Sequence, residues 1–414
     1  MVRVLFPLIL LTTMNTQAQT VLEWKPLLHK VYGQNSEILS LQKQKDSAYY
    51  QKSAVKSDFA PSLFLFADRT RQEEKTSFRD TDVTTDTYGL KASWNLFNGF
   101  STYNTVRKYS AEENQSESQI RLKMADIRYQ LRRAYIQCLI SQRALTTWKR
   151  LLQLQIDQLS IVQIKYNKGV EALWSVEISK ANVEVTKATI ELELNNFSKA
   201  RSNMEVLIGE PLPANIELVD DLDALLKTEV KGELSPNHPE LTLLQQQVEE
   251  AGADTSIQRA GYLPSLKANL QWADAKIESQ DTTHDNQLSL TLTFPLFEGF
   301  STTNQTSKAR AIVLAREYTL TDSRLRLEAD VIQGRSLYSA NLKFLKAKSS
   351  EVKATQLWSQ TIEKQYRLGV RKYSDWDQAQ TKMITSERDY LSSLRDTLES
   401  RILLEKTLAV TEEM

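Results

Sequence analysis

The chain has 414 residues, 41% of them hydrophobic and 25% charged, and its 52 basic and 52 acidic side chains cancel to a formal charge of zero. Such a balance supplies no basic surface for a nucleic acid. A single cysteine, Cys138, and three scattered histidines, His29, His238 and His284, leave no disulfide and no metal-ligand spacing. With no paired carboxylates, Ser/His/Asp set or phosphate loop, the sequence assigns no catalytic residue, metal or cofactor, and no enzyme.

The N-terminus reads as a basic start, Met1-Val2-Arg3, an apolar run from Val4 to Leu11 and a small-residue site ending at Ala18, the pattern of a signal peptide over 1–18. No later segment approaches the ~20 apolar residues of a membrane-spanning helix. A helix is expected next, followed by strands over about 63–70 and 87–96. Tyr88, Leu90, Ala92, Trp94 and Leu96 alternate with Gly89, Lys91, Ser93 and Asn95, which gives one apolar and one polar face. In the first strand Phe64 and Phe66 take the phase that the pattern assigns to the polar side. The polar stretches 71–85 and, later, 274–285 are expected as exposed hairpin loops.

No proline falls between 62 and 210 or after 295, so helices can run long there. From Ile120 the positions Met124, Ile127, Leu131, Ala134, Cys138 and Ser141 recur in steps of four and three, and the series continues through Trp148, Gln155 and Val162 to Tyr166. This is a coiled-coil seam of about six heptads, in which Cys138 is a small hydrophobe. A helix over about 99–165 would be on the order of 100 Å long, more than one compact domain can use. Tyr166-x-x-Gly169 then reads as a helix end with glycine in the left-handed cap position, and a return helix over about 172–208 follows.

After a linker at 209–235 the plan repeats over 236–414: a helix, strands about 265–273 and 286–294, a long helix about 299–365, the turn Tyr366-x-x-Gly369 and a return helix about 374–410. Leu96-Phe97-Asn98-Gly99-Phe100-Ser101-Thr102 matches Leu296-Phe297-Glu298-Gly299-Phe300-Ser301-Thr302 at six of seven positions. The offset is 203 at Pro61/Pro264 but 200 at both Phe97/Phe297 and Gly169/Gly369. Length therefore varies across the strand loops and is fixed along the helices. Loops tolerate insertion, whereas one inserted residue turns a helix face by ~100°.

Strands of about nine residues with an apolar face fit a tilted membrane-spanning strand, with Tyr88, Trp94 and Trp272 as interfacial aromatics. Four strands cannot close a barrel, for which about eight is the minimum, and open edges are not tolerated in lipid. The chain must therefore associate, and three copies would bring twelve strands. A filamentous or adhesive coiled-coil protein of the envelope is the alternative, but it leaves the strand pairs unexplained.

The Leu-Phe-x-Gly-Phe junctions, the Pro-Ser-Leu strand starts, the two Tyr-x-x-Gly turns and the order of elements given twice resemble the TolC family of outer-membrane efflux channels. The resemblance covers essentially the whole chain after residue 18. It implies a mainly α fold with transmembrane β: a homotrimer with a twelve-stranded β-barrel in the outer membrane of a Gram-negative bacterium, continued by a periplasmic α-barrel of helical hairpins. It also implies an exit duct for efflux or type I secretion, served by a periplasmic adaptor (membrane fusion protein) and an inner-membrane RND, ABC or MFS transporter.

In that family the periplasmic aperture closes at the helix turns and carries carboxylates. The second-copy turn matches at Tyr366, Gly369, Arg371 and Asp375 and departs at Gln378, beside Asp377; the first copy offers Trp174 and Ser175 where an acid would stand. A ring of Asp375 would favour cations, whereas a lone Asp375 would be a helix N-terminal acid. Residues Leu96, Phe97, Gly99, Leu296, Phe297 and Gly299 would join barrel to tunnel, and Lys91 and Lys267 would face the lumen if the strand phase holds.

Overall fold

The structure is a computed structural model that describes residues 20–76, 79–213, 216–218, 226, 233–277 and 282–410. The leader expected over 1–18 lies outside the described residues, as do 214–215, 219–225 and 227–232 of the expected linker. The helices are α1 (Trp24–Gln34), α2 (Ser36–Lys56), α3 (Ser101–Asn167), α4 (Leu173–Ile208), α5 (Pro239–Arg259), α6 (Ser301–Arg367) and α7 (Tyr373–Thr407). The strands are β1 (Thr20–Leu22), β2 (Ser62–Thr76), β3 (Arg79–Asn98), β4 (Ile216–Leu218), β5 (Ser265–Ile277) and β6 (Thr283–Thr293). The two long helices have the same length, 67 residues each.

The chain divides into two units that are not its two copies. One lies within Met1–Ser36, Ala125–Lys231 and Ile332–Val410, the other within Glu37–Met124 and Gly232–Val331 with Thr411–Met414.

The second unit holds one antiparallel sheet in the order β2-β3-β5-β6. Its register aligns the apolar residues of all four strands on one face: Leu63 pairs with Ala92, Ala92 with Leu270 and Leu270 with Leu288. Residues with one parity share a face, so the next row is Leu65, Leu90 and Trp272. Phe64 pairs with Lys91 and thus stands on the polar face. The strands are longer than expected, 15 residues for β2 and 20 for β3, so that most of the stretch expected as a loop at 71–85 is strand. Its polarity was read as a loop, but it carries no proline or glycine to break the ladder, and cross-strand charge pairs such as Arg69 with Asp86, 3.3 Å apart, suit a solvated ladder equally well. The same unit pairs α2 and α5 with the first part of α3 through ion pairs, among them Lys52 with Glu113 and Lys108 with Asp254 at 3.1 Å.

In the other unit the α3 seam forms the core. Ile127, Leu131, Cys138, Ser141 and Val162 are all but inaccessible. The buried stripe is wider than a two-helix seam, because Tyr135, Ile136, Ala144 and Leu151 are buried as well. Trp24 of α1 meets Tyr135 edge to face, with ring centroids 5.7 Å apart, and Arg132 stacks over Trp24 at 4.3 Å. Burial pushes the Cys138 thiol up to about 12, so it stays protonated and unreactive. β1 and β4 pair in parallel in this unit.

Candidate functional site

Both long helices end in the same way. Gly169 and Gly369 take φ of 73° and 80°. The amide of Gly169 donates to Tyr166 O and that of Val170 to Lys165 O, at 2.8 and 2.9 Å; Gly369 and Val370 repeat this with Tyr366 and Gln365 at 3.0 and 2.9 Å. These are Schellman motifs, in which glycine carries the left-handed residue without a Cβ penalty. They reverse the chain within a few residues and set α3 beside α4, and α6 beside α7.

Behind the turns lies an aromatic core. Tyr366, Tyr373 and Trp376 are buried with Val162, Val176 and Ile362. The Tyr366 and Trp376 rings lie 4.6 Å apart, and Trp174, half exposed on the first-copy turn, meets Tyr373 edge to face at 5.5 Å. Lys165 of the first copy donates to Tyr366 O at 2.6 Å and sits over its ring. The Tyr373 hydroxyl lies 2.8 Å from Ser179 Oγ and 3.3 Å from Asp377 Oδ1, and Asn182 donates to the same carboxylate oxygen at 3.1 Å. Burial raises the Tyr366 phenol and pushes that of Tyr373 up to about 12, so both remain neutral hydroxyls.

Arg371 and Asp375 meet each other, 3.6 Å apart on one turn, and Arg371 also donates to Gln365 at 3.2 Å. Ser175 is fully buried, and its Oγ has no hydrogen-bond partner among the described residues. Gln378 is exposed. Beside the Lys165–Tyr366 bond, the two copies are linked at the turns through Trp174, Tyr373, Ser179, Asn182 and Asp377. Tyr373, Ser179 and Asn182 carry no signal in the sequence that marks them for this role; Asp377, beside the departing Gln378, is the one that does.

At the other candidate region, β3 reaches Asn98 through a bulge between Asn95 and Phe97, while β6 stops at Thr293. Pro295 has no amide to donate, and β6 is the sheet edge. Gly99, Phe100, Gly299 and Phe300 all take φ near 60°. Phe97 packs edge to face on Phe100 at 5.1 Å, and Phe297 on Phe300 at 5.5 Å. Leu96 and Leu296 are exposed. Lys91 pairs with Gln271, and Lys267 with Asn95 and Thr291, which puts both lysines on the polar face. On the opposite face Leu65, Leu288, Leu290 and Leu292 are each at least 66% exposed.

The outer membrane efflux protein family model matches residues 27–210 and 232–410. Outer membrane protein TolC of Vibrio cholerae is 20% identical over 425 residues, covering 99% of this chain and 96% of that protein. Two solved structures share the fold. The open state of the MtrE outer membrane channel of Neisseria gonorrhoeae has a TM-score of 0.81 at 16% identity, covering 93% of this chain and 88% of that one. The outer membrane protein VceC of V. cholerae has a TM-score of 0.80 at 14% identity, covering 93% and 95%. A family match over both copies, on a chain that joins an amphipathic four-stranded sheet to paired long helices, shows that this chain belongs to the outer membrane efflux proteins, the outer-membrane exit ducts of Gram-negative export systems.

Proposed function

We propose that three copies of the chain assemble into one duct, the twelve strands closing a barrel in outer-membrane lipid and the helical hairpins forming a periplasmic tunnel. The observation that carries this reading is the sheet: its leucine-rich face is exposed and both edge strands, β2 and β6, have one unpaired side. Closure in lipid would satisfy both at once. The envelope coiled-coil alternative has no use for such a face. Within this reading the leader 1–18 is removed, copies 19–208 and 236–414 each supply one hairpin, and 209–235 joins them.

The duct would perform no chemistry. It would pass cargo handed over by a periplasmic adaptor and an inner-membrane RND, ABC or MFS transporter, and its selectivity would lie in partners and pore lining. Lys91 and Lys267, on the polar strand face, would give the barrel a basic lining. The aperture would lie at the Tyr-x-x-Gly turns, held shut by the Arg371–Asp375 pair and by the aromatic contact of Trp174 with Tyr373. Asp375 would ring the axis. In planar bilayers, Asp375→Ala and Arg371→Ala should each raise the closed-state conductance several-fold, while the exposed Gln153→Leu should not. Unchanged conductance in both would remove the gate from these turns.

A further inference from the structure

The core that runs back from the turns is interrupted. One apolar cluster, with Val162, Tyr366 and Trp376, lies at the turns, and another, with Trp148, Leu151, Ile190 and Met383, lies further along the same helices. Between them every helix of the bundle contributes polar side chains: Gln155 and Gln158 from α3, Thr186 from α4, Thr355 and Ser359 from α6 and Gln380 from α7, none more than 7% exposed. Gln158 precedes the last residue of α3 by 167 − 158 = 9 positions, and Gln380 follows the first residue of α7 by 380 − 373 = 7. With Gln155 and Thr355 each 12 positions from the ends of their helices and Thr186 13 from the start of α4, the layer spans ~10–20 Å from the turns.

Hydrogen bonding in the layer is incomplete. Thr355 and Ser386 join α6 to α7 at 2.6 Å, but Gln155 Oε1 and Gln158 Nε2 have no hydrogen-bond partner among the described residues. Both glutamines line a groove of about 220 Å³ between α3, α4 and α7, open on one side, where Asn182, Thr186 and Gln380 stand beside the apolar Trp148, Val185 and Ile384. An open groove of that size with several donors and acceptors on its polar side admits water to the two amides. Buried polar residues in coiled coils commonly fix register by pairing with each other. These two amides pair with nothing across the seam, so they carry no register information. What they do is replace interlocked apolar knobs by groups that can exchange partners with water as the helices shift.

We infer that this glutamine layer is a wet joint, at which the hairpin tips bend or slide relative to the rest of the bundle, so that the aromatic cluster at the turns moves as one body when the aperture opens. The inference rests on the gate reading given above. It accounts for the polar seam position Gln155, which unlike the other polar seam residue, Ser141, lies beside the turns. It also places the compliant segment next to the moving tip and leaves the tip cluster itself rigid.

Hydrogen exchange on the full-length protein in detergent tests it, with Gln155→Leu/Gln158→Leu as the variant and exposed Gln153→Leu as control. In the wild type, amides at 153–160 and 378–384 should exchange about tenfold faster than those at 146–152 and 161–166, and the double variant should bring them to the flanking rate. In bilayers the double variant should cut the leak of Arg371→Ala several-fold, and the control should do neither. Uniform protection across these segments in the wild type overturns the joint, whatever the gate does. Slowed exchange that leaves the Arg371→Ala leak intact overturns its coupling to the aperture. If Arg371→Ala itself produces no leak, the gate assignment has failed, and the exchange pattern alone then decides whether the joint exists.

Discussion

At the strand-to-helix reversals, Phe100 and Phe300 hold φ of 64° and 62° directly after Gly99 and Gly299 at 63° and 61°. A residue with a Cβ in that region costs ~1–2 kcal/mol, which the edge-to-face packing on Phe97 and Phe297 helps to offset. The two glycines are not equivalent. A Cβ at Gly99 would stand 2.7 Å from the backbone oxygen of Ala260, whereas at Gly299 nothing lies within 4 Å. Gly99→Ala should therefore lower the thermal unfolding temperature in detergent clearly more than Gly299→Ala; equal losses would contradict the packing described at this corner. The junction was legible as a repeated Leu-Phe-x-Gly-Phe motif, but the role of its variable position was not. Asn98 donates its amide to the Thr102 hydroxyl at 2.7 Å and accepts from the Thr102 backbone amide at 3.3 Å, whereas the Thr102 equivalent, Thr302, donates its hydroxyl to Glu298. Asparagine and glutamate differ as letters and bond the threonine hydroxyl in opposite directions, yet both tie the corner to the threonine four residues on, and that shared threonine was the clue.

At the scale of elements, the period of the sequence carried most of the fold. The steps of four and three gave α3 and its buried face, and alternation gave the paired strands and the phase of Phe64. Strand ends were less legible, because the charged residues of 71–85 mark solvation and do not by themselves end a ladder. Charges that close a helix pair could not be read at all, since their partners are distant in sequence. Glu405 at the end of α7 is held by Arg128 of α3 at 2.7 Å and by Arg401 at 3.0 Å, all three nearly buried. Burial alone would raise the Glu405 carboxyl, but the two guanidiniums outweigh it and hold it below the usual range. A lowered folded pKa contributes stability above the unfolded value, and that contribution is lost as pH falls through the folded one. Glu405→Gln should cost about 3–5 kcal/mol near neutral pH, because it leaves buried guanidiniums uncompensated. The difference from wild type should shrink below about pH 4. Thermal unfolding across pH checks this, and a difference that does not vary with pH would contradict it.

At the scale of the whole molecule, the chain carries an amphipathic sheet with two open edges and an exposed apolar face, joined in sequence to helices whose outer sides also expose large apolar residues such as Val185, Leu192, Leu325 and Ile332. Surfaces of this kind on an isolated chain mark contacts with lipid or with further copies. The duplication gives each chain two hairpins and four strands, one third of the twelve strands that a closed duct would need, and threefold assembly would supply the rest. The link between the copies at the helix turns was the least legible part, because it uses aromatic and hydroxyl groups, Trp174 with Tyr373 and Ser179 with Tyr373, where the family resemblance points to acidic residues. The most direct test of the account is the native mass of the protein extracted from outer membranes in detergent. Three chains per particle is the predicted result; a particle of one chain, its sheet edges unpaired, would contradict it.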